Sequence, residues 1–452
     1  MLNEGTEQRA IMQVTNKKTV GTICKNSVIE LVADDTREGC FNLAFWDGEK
    51  AHVQPRVKVT VRSVSAAKSE GRTTRYEPAD MDLTISQAMC FPSRVDCSSS
   101  SRQLFSDIYG EIKRYTDLPD KFVSLAALTV CASWFPELDS SIRVVIGGPP
   151  SAQGQQLFRL LFCFYRHPLL VGEMSLAALY SLPMELSPSL FMERCDNGPQ
   201  LRKILRATNS RGHIPRRGRL VSARCATVLC AEEPLSGDVL GWNAVEIPVT
   251  HSRRSLPVLS QQRQREIAEE FQPKLLGYRL SNYRRVMDSA FDVPKFTTSV
   301  RNIARSLGAC VVEDPDRQAE IETLLTERDG QVQEEWSADL RRIVLEAMLS
   351  FCHQEKKESI YVGEITKATN EILERRGEAL ELKPRTVGST VRALGLSTTR
   401  LDASGRGILL LDAIRQRIHS LAWDSRVLPG AKGQECANCA LLEFEEEMKE
   451  MK

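Results

Sequence analysis

IRVVIGGPPSAQGQQLFRLLFCF, residues 142–164, is the stretch whose reading decides the fold. Ile142–Ile146 is largely β-branched, Gly147–Pro150 is a turn signal, and Leu157, Phe158, Leu160, Leu161 and Phe164 recur at helical spacing. Strand, glycine turn and helix together outline a phosphate-binding loop, in which backbone N–H groups wrap the anion and the helix N-terminus faces it. The full motif also carries a lysine and a hydroxyl residue. Against GxxxxGK[ST], five residues rather than four separate Gly148 from Gly154, and Gln155 and Gln156 stand in the Lys and Ser/Thr positions. The candidate nucleotide-contacting residues are Gly148, Pro150, Gly154, Gln155 and Gln156. Backbone N–H groups do part of the cradling, so weak binding of ATP and Mg²⁺ stays open, while no cofactor is required and no metal site is expected.

Beyond the loop, Leu190, Phe191 and Met192 form a short apolar run that closes on Glu193, Arg194 and Asp196. A nucleotide-hydrolysing domain needs two carboxylates there, one for Mg²⁺ and one to orient the attacking water. This chain offers Glu193 for the first and a cation for the second, so Glu193 and Asp196 are vestigial catalytic candidates. Deleting one such electrostatic group costs on the order of a hundredfold in rate, and several are missing. Leu220–Ala231 supplies one or two further strands and Asn243–Thr250 a last one, while Leu104–Phe135 reads as two helices, the second apolar on nearly every face.

Length and composition bound the rest. The chain has 452 residues, 42% of them hydrophobic and 26% charged, which suits two to four globular domains. A net charge of +1 gives no global attraction to polyanions, so contact with nucleic acid must come from local patches. No apolar run reaches the roughly 18 residues of a membrane span, and the polar start lacks a signal-type segment, so a cytoplasmic protein without a membrane partner is expected. The 13 cysteines are scattered through apolar stretches and read as reduced thiols. Cys436 and Cys439 form an isolated Cys-x-x-Cys pair, half a zinc site at best, and read as a chance or redox-labile pair in the tail.

One segment is strongly basic. Between Pro199 and Ala231 there is no acidic residue, while Arg202, Lys203, Arg206, Arg211, Arg216, Arg217, Arg219 and Arg224 all occur there with His213. Its centre, NSRGHIPRRGR, reads as a loop that presents Arg211, His213, Arg216, Arg217 and Arg219 to phosphates, a solvated surface or subunit contact being the alternative. Farther on, Tyr278, Arg279, Tyr283, Arg284 and Arg285 form a cluster that reads as core aromatics with snorkelling arginines or as a base-stacking surface.

From Leu340 the order is helix, strand, helix, helix, hairpin, as in a winged-helix domain. In LKPRTVGSTVRALG the third helix opens at Pro384, turns Val387, Val391 and Leu394 inward, and sets Arg385, Thr386, Ser389, Thr390 and Arg392 outward. Arg400 and Arg406 sit on the following hairpin, within reach of a DNA backbone.

The order of several motifs resembles a known family. Ala132–Phe135 (ASWF), the VVIGGPP turn, RHPLLVGEMSLAALY, LSPSLFME, Thr208–His213 (TNSRGH) and the IPV strand together resemble P-loop ATPase domains of phage- and plasmid-type helicases and their bacterial relatives, over residues 122–250. The resemblance implies an α/β fold: an AAA-like ATPase core with degenerate motifs, a helical lid, an N-terminal β-rich module and a C-terminal winged helix. The expected division is 1–92, 103–252 (core with helical prefix), 253–338 (lid), 339–422 (winged helix) and a tail at 423–452. It implies a DNA partner and a homo-oligomer or protein partner, with an impaired helicase-like chain serving replication, mobility or defence of a bacterial or phage genome. An active ATPase with variant motifs and a protein-docking adaptor remain open.

Overall fold

The computed structural model describes residues 14–24, 27–62, 71–149, 151–172, 174–193, 195, 198–209, 213–216, 219–233, 235, 244–338, 340–354, 357–375, 381–402, 405–425, 427, 436 and 439. They divide into two compact units, Met1–Asp329 and Gly330–Lys452. No helix among them is long and apolar enough to cross a membrane.

The first unit opens with β1 (Val14–Thr19), β2 (Thr22–Cys24), β3 (Ser27–Ala33), β4 (Phe41–Trp46), β5 (Ala51–Gln54), β6 (Val57–Arg62) and β7 (Gly71–Pro78). β2 to β5 form an antiparallel meander, and β7 lies between β1 and β6 in a second sheet. The charged, polar sequence of residues 65–82 reads as a linker or an exposed loop, and the structure corrects this: it contains β7, the central strand of that sheet. On β7 Thr73 is buried and Tyr76 packs on the core, so a strand with polar types at buried positions shows no hydrophobic periodicity.

After α1 (Leu83–Ala88), α2 (Ser101–Tyr115) and α3 (Asp120–Ser133) comes the main sheet, built from β8 (Arg143–Gly147), β9 (Pro168–Val171), β10 (Ser189–Met192), β13 (Thr227–Ala231) and β14 (Val245–Pro248). Every pairing is parallel, in the order β14-β8-β13-β10-β9. Sheets of this kind carry helices on both faces, which is why α3 is buried at every residue from Val123 to Ser133. From β8 the chain crosses to the far edge at β9, returns through β10 and β13, then passes to the other side of β8 with β14. Such a reversal opens a crevice at the C-terminal end of the central strand, where the glycine turn sits.

Between these strands lie α4 (Ala152–Phe164), α5 (Leu176–Ser181), α6 (Pro199–Asn209) and a hairpin of β11 (His213–Arg216) and β12 (Arg219–Ser222). That hairpin corrects the reading of NSRGHIPRRGR as a loop: His213 pairs with Ser222 and Arg216 with Arg219 across a two-residue connection. Pro215 lies inside β11, facing Leu220, and a proline is tolerated in a strand of an isolated hairpin. Helices α7 (Gln261–Met287), α8 (Thr298–Ala309) and α9 (Pro315–Ala338) follow.

The meander and the parallel sheet share one core. Ile29, Leu31, Leu43 and Val57 pack in the same buried cluster as Val145, Leu190 and Leu229. An ion network lies alongside. Glu30 on β3 accepts from Arg166 Nη2 at 2.8 Å and from Arg279 Nε at 2.6 Å, and Arg279 Nη2 reaches Glu137 at 2.7 Å. Glu30, Arg166 and Arg279 are 2%, 4% and 1% exposed, so the protein and not water must compensate these charges. Burial would raise the Glu30 carboxyl, but the two guanidiniums hold it down at about 2. Tyr278 and Tyr283 are buried as well, which settles the aromatic and basic cluster as core for those two residues and Arg279.

The second unit continues with α10 (Leu340–Cys352), β15 (Ser359–Tyr361), α11 (Val362–Arg375), α12 (Pro384–Ala393), β16 (Thr399–Asp402), β17 (Gly405–Leu409) and α13 (Asp412–Asp424). Its strands order β15-β17-β16, and its core joins Ile343, Val344, Met348, Ile360, Ile365, Val387, Val391, Ile408 and Ile418. Cys436 and Cys439 are not an isolated pair: His353 and His419 lie beside them, correcting the expectation of no metal-ligating group.

Candidate functional site

The glycine turn is built as its sequence dictates locally, yet Gly148, Gln153, Gly154 and Gln156 bond within the protein. Ser151 caps α4, its Oγ accepting from Gly154 N–H at 3.2 Å. Gly148 N–H donates to the Ala231 carbonyl at the end of β13 (3.1 Å), and Val249 N–H donates to Gly147 (2.7 Å). Gly148 has φ +147, and a β-carbon there would stand 2.0 Å from the Val249 carbonyl oxygen. The glycine is therefore required for close approach of the backbone after β14, and a carbonyl oxygen, not an anion, occupies the space it leaves.

The glutamines follow the same pattern. Gln153, 3% exposed, accepts from Asp117 N–H and donates to the Thr250 carbonyl at 3.0 Å, tying the α2–α3 connection to the end of β14. Gln156 Nε2 donates to the Pro257 carbonyl at 3.0 Å. Gln155 is exposed and faces the remaining cavity, while Pro150 lies outside the described residues. That cavity measures about 140 Å³ and is lined by Gly148, Gly154, Gln155, Glu193, Cys230 and Glu232 among others, with no Lys or Arg among the described residues that line it. Ligand sites of roughly 300–1,000 Å³ are the norm, and the two carboxylates of this lining repel a triphosphate. Burial first, then the charges of Glu193 and Glu232, pushes the Cys230 thiol above its ordinary range. Glu232, directly after β13, was missed from the sequence because strand order alone places it beside Glu193. Asp196 lies outside the described residues.

Of the basic segment, Arg202 is half-buried, and Lys203 and Arg206 are exposed on α6. His213 is exposed on β11; Arg216 and Arg219 occupy facing positions of the hairpin; Arg211 and Arg217 lie outside the described residues.

On α12, Arg385, Thr386, Ser389 and Arg392 are exposed, while Val387 and Val391 are buried. Positions 385, 389 and 392 are four and three apart and so share one face. Thr390 is corrected to the inner face: it is 8% exposed and its hydroxyl donates to the Thr386 carbonyl at 3.1 Å. Asn370 on α11 fixes the approach to α12, donating to the Leu382 carbonyl at 3.1 Å and accepting from Leu382 N–H at 2.9 Å. Arg400 and Arg406 are exposed and directly paired across β16 and β17. Like charges in that position oppose each other unless a counter-charge arrives.

No protein-family model matches the sequence, and no curated protein matches it. Among solved structures, a full-length MCM homolog from Methanopyrus kandleri is similar at 11% identity and a TM-score of 0.33, over 67% of this chain and 78% of that one. The C-terminal region of NrS-1 is similar at 11% and 0.31, over 84% and 96%. The ORC2 protein of Aeropyrum pernix is similar at 11% and 0.21, over 72% and 98%. At these TM-scores the fold reading stands on the chain's own strand order and loop geometry.

Proposed function

We propose that the chain is a DNA-binding protein built on a P-loop ATPase-like core that has lost nucleotide turnover, with a helical lid at 253–338 and a winged helix at 339–422. It acts as an accessory or ring-forming subunit in replication, mobility or defence of a bacterial or phage genome. One observation carries the DNA reading: the exposed row Arg385, Thr386, Ser389 and Arg392 on a helix whose approach is fixed by Asn370, in the same unit as the like-charged pair Arg400 and Arg406. Guanidiniums and hydroxyls on one helix face are the groups that reach phosphates and base edges. The loss of turnover is supported by the small acidic cavity and by a glycine turn in which Gly148 N–H and Gly154 N–H already have a carbonyl and a hydroxyl partner.

The test is a titration of labelled duplex DNA at rising salt. Combined Arg385→Glu and Arg392→Glu substitution is expected to weaken binding at least about tenfold and to lower the salt slope by about two, one unit per lost phosphate contact. An unchanged affinity and slope would favour a protein-docking role instead.

A further inference from the structure

Four ligand-bearing side chains converge in the second unit. His353 follows α10, His419 lies on α13, and Cys436 and Cys439 come from the segment beyond it; one ligand atom of each lies within 4.8 Å of all the others. Cys436 Sγ is 3.2 Å from His419 Nε2, and Cys439 Sγ is 3.4 Å from His353 Nε2. Adjacent S and N ligands of a tetrahedral zinc, with bonds of about 2.3 and 2.0 Å, are separated by about 3.5 Å. These two S–N spacings are thus close to those of a coordination shell, and the remaining ligand atoms lie within 4.8 Å.

The second shell is present too. His419 Nδ1 lies 2.7 Å from the Arg415 carbonyl, which accepts its N–H and leaves the Nε2 lone pair facing the cysteines. His419 is 2% exposed, and the adjoining Leu349, Cys352 and Ala422 are buried, so water does not serve these groups freely.

We propose that His353, His419, Cys436 and Cys439 bind one structural Zn²⁺. Two thiolates and two imidazoles select a soft, tetrahedral ion over Mg²⁺ or Ca²⁺, and four protein ligands leave no open position for catalysis. Binding takes a proton from each thiol, so two protons are released per zinc and affinity falls in acid. The ion would tie the Cys-x-x-Cys segment to the end of α10 and to α13, closing the unit that carries α12. This inference is independent of the DNA reading, since the metal is held whether or not α12 touches DNA.

Elemental analysis of the full-length chain, purified under reducing conditions, is expected to give about one zinc per chain. After chelation, Co²⁺ should restore the visible absorption of a tetrahedral site together with thiolate-to-cobalt charge transfer in the near ultraviolet. Combined Cys436→Ser and Cys439→Ser substitution should bring zinc and both cobalt features near zero. Cys439→His, which keeps a fourth ligand, should retain one metal with a weaker charge-transfer band, separating ligand loss from misfolding. A chain without zinc or cobalt bands, a cobalt spectrum unchanged in the double variant, or a Cys436–Cys439 disulfide in the reduced protein would overturn the assignment.

Discussion

Replacing Glu30 with alanine is expected to destabilise the first unit by about 3–5 kcal/mol, the usual cost of stripping the partner from a buried ion pair. Arg166 would lose its carboxylate and keep the Leu186 and Ser187 carbonyls, while Arg279 would lose one of two carboxylates and keep Glu137 and the Trp134 carbonyl. Denaturant unfolding of the variant against the parent chain measures the loss. The same cluster sets a pH dependence. Burial first, then the nearby Arg166 charge, lowers the His167 imidazole from 6.5 to about 3, so between those values the unfolded chain takes up a proton that the folded chain refuses. Stability therefore falls with acid over that window, by up to about 1.4 kcal/mol per pH unit from this group. Glu30, lowered from 4.5 to about 2, adds stability that is fully present above 4.5 and lost as pH falls through 2. His167→Gln should flatten the slope between pH 6.5 and 4.5; an unaltered slope would show that His167 is not held neutral.

Gly148→Ala is the second large effect. A methyl group would meet the Val249 carbonyl at 2.0 Å, on a backbone with φ +147 that L side chains rarely adopt. Strain and forced backbone movement together cost about 4 kcal/mol. A glycine kept for phosphate contact predicts a different outcome, with nucleotide binding lost and stability in the absence of nucleotide intact. Unfolding measured without nucleotide separates the two.

The central βα unit was legible because the local signals agreed: β-branched residues at Val144–Ile146, a turn signal at Gly147–Pro150, and apolar residues at helical spacing in α4. The use of the turn was not legible. Gly148 is committed to Val249 and Gln153 to Thr250, residues 97 positions away in the second case, and only the order β14-β8-β13 brings them together. Glu30 and Arg279 are 249 residues apart, so no periodicity in either segment announces their pairing. The metal-ligand cluster failed to appear for the same reason: the cysteines were noticed, but His353 is 86 residues from Cys439. On α12, Val387 and Val391 set the inner face, while Thr390 was misplaced because a small hydroxyl residue can bond back to its own helix and sit inside.

The most direct measurement is phosphate release from ATP and Mg²⁺ by the full-length chain, with and without DNA, in samples where DNA binding is verified. The account predicts DNA binding with turnover at background in both conditions, since the cavity at Gly148 is small and its described lining carries Glu193 and Glu232 with Gln155 in the lysine position. DNA-stimulated hydrolysis that disappears on Glu193→Ala would contradict it.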